Sequence, residues 1–487
     1  MDDNNVVIKY LKSLGYNPQT SYYGNVSFWK QWYENQVKDF HDYHDQDGIK
    51  REIYKLGMAK RGCEDWSSIL FTEKDQITCD NPKNQEYLDD IFSDDKLNLE
   101  GVIPENIENA FWSGTVGSIV RIENAIKRGD TLVADDKTRL NLINVTADKI
   151  IPLRIEHRKI IDVAFVSKTV IENDDVFYIE IHELKENGYH IRNIYINEKG
   201  EPQKNNKVVD NYDTGSNIPL FSFLEPKLVN NIENNNGLGM SIYANATDQL
   251  KGCDIAYNNL IMDVYLGGKK VFYNKSLIKY NVRTYTDENG NTARQEVPVY
   301  PDDLTRQQFK VLDGDLSNAN DDALIHEYNP DLRAEENEKI VNFALNLYSF
   351  KIGLGKGYYK FENGTVVTAT QYLGENKDLV GNAKKHRRAL NDYTVGIARA
   401  ILLLGRILFK KGTDENGNIN LTNKDGFLVS DEELQEQYRQ DFQAGLMSKK
   451  TYLMKARGMT EEQALAELKL VKEDNPSMDD LLGVGGN

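Results

Sequence analysis

The stretch Gly353-Leu354-Gly355-Lys356-Gly357-Tyr358-Tyr359-Lys360-Phe361-Glu362-Asn363-Gly364 decides how the rest of the chain is read. It is rich in glycine and carries paired tyrosines between two lysines. It leads through Thr365-Val366-Val367-Thr368 into the longest helical pattern in the protein. Thr368 and Gln371 fit a capping box, in which the threonine side chain caps the first turn and the glutamine reaches back. The far end reads Phe409-Lys410-Lys411-Gly412: cations against the negative helix end, then a glycine suited to a left-handed cap. Helical throughout, residues 368–411 would span about 65 Å at about 1.5 Å per residue. Few globular helices are that long. Gly374, Gly381, Gly396 and Gly405 are the expected bend points of such a strut.

Composition narrows the function classes. A chain of 487 residues suggests roughly two to four domains, and 40% apolar content is enough to bury a large core. A net charge of −17 argues against coating nucleic acid through a general basic surface, while leaving room for a local basic feature. Cys63, Cys79 and Cys253 are too widely spaced for a disulfide framework or a zinc site and suit a reducing compartment. The polar, acidic start Met1-Asp2-Asp3-Asn4-Asn5 has no signal-peptide character. The apolar run from Ile397 to Phe409 is too short, and with Arg399 and Arg406 too charged, to span a membrane.

Outward from the central stretch, the periodicity divides the chain. Residues 1–60 read as aromatic helices, an arm that packs on its own domain or on a neighbouring subunit. His41 and His44 stand at a metal-like spacing, but a solvated helix face is the expected reading. A helix is expected to start at Pro104. Period-two runs Ile150–Ile155, Ile160–Val166, Val176–His182 and Tyr189–Ile196 predict an antiparallel meander, with Asn187-Gly188 as a hairpin turn. His182 and His190 fall on adjacent strands, where cross-strand packing is the default. A helix from Met240 to Leu266 carries Tyr243, Leu250, Tyr257, Leu260 and Val264 on one stripe, with Asp248, Asp254 and Asp263 off it. Strands are expected at 269–273, 282–286, 295–300 and 309–312. A further helix, Ala334–Phe350, is expected to bury Ile340, Ala344, Leu347 and Tyr348. A small β unit is thus inserted at the tip of a helical hairpin. A hairpin around Asn416-Gly417 and C-terminal helices opened by capping boxes at Ser430–Glu433 and Thr460–Gln463 complete the pattern.

Motifs for catalysis are missing from the sequence. It has no Walker loop, GxSxG, HExxH or paired-cysteine site, and Gly353-x-Gly355-x-Gly357 lacks the βαβ surroundings of a nucleotide loop. Asp89-Asp90 and Asp94-Asp95 read as solvated faces. No cofactor and no metal are expected. The long helix is locally basic: Lys377, Lys384, Lys385, Arg387, Arg388, Arg399, Arg406, Lys410 and Lys411 face only Glu375, Asp378 and Asp392. A seam between subunits is favoured for Lys384, Lys385, Arg387 and Arg388 over contact with DNA phosphate. In the glycine-rich loop, Gly355, Lys356, Gly357, Tyr358, Tyr359, Lys360, Asn363 and Gly364 are better candidates for facing DNA.

The order of these elements resembles the portal proteins of tailed bacteriophages, in particular those of siphophages of Gram-positive hosts. The residues that carry the resemblance are Gly237-Leu238-Gly239-Met240-Ser241-Ile242-Tyr243-Ala244-Asn245-Ala246-Thr247-Asp248, Ser349–Gly357, Val367-Thr368-Ala369-Thr370-Gln371, and the strand run Ile179–His182 to Tyr189–Asn193. It covers about residues 80–470. The resemblance implies an α+β, portal-like multidomain fold. Residues 1–236, with the arm, and 368–428 would form an α/β wing with one very long helix. Residues 237–268 and 334–352 would be the helical stem, 269–333 an inserted β-rich clip, and 353–367 the channel loop. Residues 429–475 would be a helical crown and 476–487 a flexible tail. It further implies a homo-oligomeric ring, usually of twelve subunits, at one capsid vertex of the virion, assembled in the host cytoplasm. Double-stranded DNA would pass through that ring during packaging and ejection. The implied partners are the terminase large subunit, the head–tail adaptor, and the scaffold and major capsid proteins. Asp248, Asp254 and Asp263 would line the stem channel, and the chain would not be an enzyme. The alternatives from the residues alone are a soluble enzyme with a site of dispersed carboxylates and histidines, or a DNA-binding adaptor that forms no ring.

Overall fold

The structure, a computed structural model, describes residues 2–18, 20–44, 48–72, 75–128, 131–171, 174–203, 209–232, 237–274, 277–286, 292–299, 309–312, 325–359, 377–422 and 431–474. The chain opens with α1 (Asp2–Ser13), α2 (Tyr22–Tyr33) and the single turn α3 (Lys38–His41), then the ribbon of β1 (Asp42–His44) and β2 (Lys50–Glu52). Next come α4 (Met58–Leu70), β3 (Gln76–Cys79), α5 (Pro82–Phe92) and α6 (Leu99–Ser113). The α6 helix starts five residues before the expected Pro104, because Asn98 caps it by accepting from the Gly101 N–H at 3.2 Å. Pro104 therefore lies inside the helix, and its carbonyl accepts from Ser67 Oγ at 2.7 Å.

The β region follows as β4 (Val116–Glu123), β5 (Ile126–Arg128), β6 (Thr131–Val133), β7 (Arg139–Thr146), β8 (Ile150–Glu156), β9 (Lys159–Ile171), β10 (Asp174–Lys185), β11 (Gly188–Asn197), β12 (Pro202–Gln203), β13 (Asn211–Asp213) and β14 (Phe221–Leu224). The expected meander is present as the antiparallel order β12-β11-β10-β9-β8, with β13 also on β11. The Glu186-Asn187 turn brings Lys185 opposite Gly188, whose φ of +107° is the left-handed region glycine favours. Period two is visible in what each face buries. Val163 and Phe165 join the main core, while Ala164 and Val166 face a second core with Val7, Ile8 and Leu11 of α1. The N-terminal arm therefore packs on its own sheet. A second sheet, β14-β4-β7, is tied to the first by Arg121 on β4, whose Nε donates to Glu180 Oε2 on β10 at 2.9 Å.

The helical hairpin consists of α7 (Thr247–Gly267) and α8 (Ala334–Lys351). Between them lie β15 (Lys270–Asn274), β16 (Tyr280–Thr286), β17 (Thr292–Pro298), β18 (Phe309–Leu312) and β19 (Ile325–Tyr328). β15 pairs parallel with β18 and antiparallel with β19, and β16 pairs with β17. β19 was not legible as a strand. The α7 helix begins at Thr247, not Met240, because the preceding segment is held on α2 and α6. Tyr22 Oη donates to the Gly239 carbonyl (2.6 Å), Tyr243 Oη to the Trp29 carbonyl (2.8 Å), and Ser241 Oγ to the Phe111 carbonyl (3.1 Å). These bonds outweigh local helix preference.

The long helix α9 runs Lys377–Ile407 and packs against β14, β4, α4, α5 and β20 (Ile419–Thr422). Its expected start, with the Thr368–Gln371 capping box and Gly374, lies outside the described residues. It ends before Lys411: Leu408 and Phe409 N–H groups both donate to the Leu404 carbonyl, and Lys410 adopts φ +53°. Gly396 and Gly405 are notches that admit neighbouring side chains. A Cβ on Gly396 would sit 2.4 Å from Ser222 Oγ, and one on Gly405 would sit 2.6 Å from the Tyr87 ring. Of the expected hairpin at 413–427, residues 423–427 lie outside the described residues, and β20 pairs with the distant β3 (Leu421 opposite Ile77). The C-terminal helices are α10 (Asp431–Gln443), α11 (Lys449–Arg457) and α12 (Glu461–Asp474). The capping box at Thr460 is made in both directions, with Gln463 N–H to Thr460 Oγ1 at 3.3 Å and Thr460 N–H to Gln463 Oε1 at 3.0 Å. The fold is mixed α+β. Among the described residues no helix is long and apolar enough to cross a membrane.

Candidate functional site

The root of the glycine-rich loop is built onto the end of α8. Gly353, Gly355 and Gly357 all have positive φ, near +80°, which lets the chain leave the helix in a tight coil. Three side chains hold that coil through its carbonyls. Trp66 Nε1 donates to Ile352 (3.0 Å), Asn382 Nδ2 to Gly353 (3.0 Å) and Ser349 Oγ to Gly355 (2.8 Å). Leu354 is fully buried beneath it. Tyr359, expected to face DNA, is docked on its own chain. Its ring stacks on Tyr348 at 6.3 Å and its hydroxyl donates to Asp65 Oδ2 at 2.7 Å. Arg61 holds the same carboxylate, with Nε 3.1 Å from Oδ2 and a guanidinium nitrogen 2.9 Å from Oδ1. Burial first, then neighbouring Tyr348 and the bond to Asp65, push the Tyr359 hydroxyl pKa far above that of a free tyrosine. Tyr358 packs edge-on against Tyr359 at 5.0 Å. Lys356 is exposed, with its ammonium over the Phe350 ring. Lys360, Asn363 and Gly364 lie outside the described residues.

The three aspartates of α7 have different surroundings. Asp248 is open to solvent, with Lys251 Nζ at 3.4 Å. Asp254 is only 3% exposed. It accepts from His41 Nε2 at 3.0 Å and from the Leu56 N–H at 2.7 Å. This corrects two expectations, since Asp254 cannot line a water-filled channel and His41 is not on a solvated face. Each is a partner of the other, which spacing within one segment cannot reveal. Asp263 takes the Arg333 guanidinium at 2.9 Å and Asn337 Nδ2 at 3.0 Å. These bonds, Arg333 foremost, lower its pKa and clip the open end of the hairpin together.

On α9, Lys384, Lys385 and Arg388 form an exposed basic row. Arg387 leaves that row: it is buried and donates to the Ile69 carbonyl at 3.1 Å. His386 also faces inward, edge-on to Trp66, and accepts from the Lys227 N–H at 2.9 Å. The other strand histidines are engaged locally. His182 lies 3.0 Å from Glu180, and His190 lies 2.6 Å from Asp213. They do not meet, because His182 opposes Ile191 and His190 opposes Glu183, one position out of register and so on opposite faces. Among the described residues no three metal-ligating side chains gather.

One feature of the hairpin escaped the sequence reading. The α8 helix buries Asn337, Val341, Leu345, Tyr348 and Ser349; of the expected face, Tyr348 is buried and Ala344 packs on the core, while Ile340 and Leu347 are exposed. Ile340, Phe343, Leu347 and Phe350 instead form an apolar stripe at i, i+3, i+7 and i+10 that stands in water, with Phe343 66% exposed. On α7 a second outward row runs Ile255, Asn259, Met262 and Leu266. An apolar stripe on both sides of α8 is the signal that was available: Val341 and Leu345 alternate with Ile340 and Phe343.

Comparison with known protein families finds no family model that matches the chain, and a search of curated proteins finds no match.

Proposed function

We propose that this chain is the subunit of a portal-like ring through which double-stranded DNA passes. The observation that carries the reading is the α7–α8 hairpin. It is anchored on the α/β body at one end, carries a β module at the other, and is apolar on an outer face that a lone chain leaves in water. Soluble monomers seldom keep such a stripe. Copies arranged around an axis cover it on every subunit at once. The glycine-rich loop leaves the body end of α8, next to the start of α9 through Asn382. In a ring of standing hairpins that position is beside the lumen.

In this reading Asp248 and the chain's overall acidity keep DNA from adhering. Lys356 and the residues after Tyr359 touch the passing phosphates, and the 269–333 module receives the terminase large subunit and later the head–tail adaptor. Scaffold and major capsid proteins meet the rim at the capsid vertex. The first test is native mass spectrometry with negative-stain electron microscopy of the purified protein. Closed particles of one subunit number with a central hole are expected. A protein that stays monomeric at every concentration and salt condition refutes the proposal.

A further inference from the structure

We infer that copies of this chain meet head-to-tail through the hairpin, the outer stripe of α8 in one copy lying antiparallel on the outer row of α7 in the next. The inference rests on the ring reading above and specifies its seam. Two apolar rows need cover: Ile340, Phe343, Leu347 and Phe350 on α8, and Ile255, Met262 and Leu266 on α7. They lie on different helices, and with α7 and α8 packed together the α8 stripe and Ile255, Asn259 and Leu266 of α7 stay exposed, with Met262 half-buried. A contact of α8 on α7 of the next copy covers both rows of every subunit. A twofold contact of α8 on α8 would leave the α7 row in water. A reciprocal twofold contact of each α8 on the other copy's α7 would stop at a dimer. Native mass spectrometry separates that dimer from larger rings, and finding it would overturn the head-to-tail arrangement.

Charge agrees with the antiparallel arrangement. Within the hairpin the C-terminal end of α7 lies beside the N-terminal end of α8, as the Asp263–Arg333 contact fixes. The same polarity between copies sets Lys269 and Lys270, just past α7, level with exposed Glu335, Glu336 and Glu338 at the start of α8. At the other end it sets exposed Asp248, beside its own Lys251, level with exposed Lys351. Opposite charges meet at both ends, with the apolar rows between them. Such flanking charges fix orientation and register more than they add affinity. Asn259, at the middle of the α7 row, falls opposite Leu347 in this alignment.

The test uses the full chain in a Cys79→Ser background, since Cys63 and Cys253 are buried. Asn259→Cys and Leu347→Cys are made as separate proteins with different tags, then co-expressed, purified together and oxidised. A disulfide between the two tags is necessarily between copies. The expected result is a cross-linked dimer carrying both tags, at least roughly tenfold above either protein oxidised alone. Dimers of Leu347→Cys alone, or of Asn259→Cys alone, indicate a twofold contact and overturn the inference. Oligomers that persist in native mass spectrometry without any mixed cross-link overturn the seam and leave the ring reading standing. Absence of oligomers overturns both.

Discussion

Arg121 and Glu180 show how much a single buried pair carries in this fold. Burial works to raise the Glu180 carboxyl pKa, but the Arg121 guanidinium and His182 outweigh it and hold the group at about 2. The ordinary value is 4.5, so the folded-state pKa is depressed. The stability it supplies is complete above about pH 4.5 and is lost as pH falls towards about 2. Arg121→Ala removes the guanidinium from that carboxylate and leaves it His182 and the Tyr178 hydroxyl between two sheets, and should cost about 3–5 kcal/mol in urea unfolding at neutral pH. A loss below about 1 kcal/mol would place the pair with ordinary surface bridges. None of this was legible in the sequence, because Arg121 and Glu180 lie on strands of two different sheets and meet only where those sheets pack. The same holds for His41 and Asp254. Local spacing assigned each of them to solvent, and only their meeting across the fold makes both of them interior residues.

At the level of elements, the loop root is a docked structure up to Tyr359. Asp65 and Arg61 on α4 hold the Tyr359 hydroxyl, and Tyr348 on α8 holds its ring. Tyr359→Phe removes one charge-assisted bond and should cost about 1.5–3 kcal/mol. Asp65→Asn should increase nitration of Tyr359 by tetranitromethane, read by mass spectrometry, with little change at other buried tyrosines. Equal nitration of Tyr359 in the wild type and in Asp65→Asn would mean the root is not held by this contact. The elements themselves were largely readable where local pattern decides them. The meander strands, a hairpin turn ending at Gly188, both hairpin helices and the Thr460 cap follow from alternation, turn chemistry and capping residues, though the turn residues are Glu186-Asn187 and not Asn187-Gly188. The failures fall where a distant partner decides: the start of α7, held by Tyr22 and Tyr243, and β20, whose partner β3 lies more than three hundred residues earlier.

For the whole molecule, the outer stripe of α8 is the feature on which the ring proposal can be tested apart from folding. Phe343 contributes nothing to its own chain's core, so Phe343→Glu should leave monomer stability within about 0.5 kcal/mol by thermal melting. The same substitution should dissolve any oligomer at concentrations where the wild type assembles, as seen by analytical ultracentrifugation. Intact oligomers in that variant would exclude the stripe from assembly. The candidate loop was legible as a glycine-rich, tyrosine-bearing segment. Which of its residues are anchored was not, because the anchors Trp66, Asp65 and Asn382 come from other parts of the chain. One consequence concerns the two notches of α9. With Gly396 seated on Ser222 and Gly405 on Tyr87, the helix can neither slide along β14 nor turn about its own axis without collision. It is keyed to the body like a shaft in its slot. Asn382, near its start, grips the loop root, and Ile407 lies about 38 Å further along the helix. Moving the loop root relative to the body would therefore require one of these two close contacts to give way.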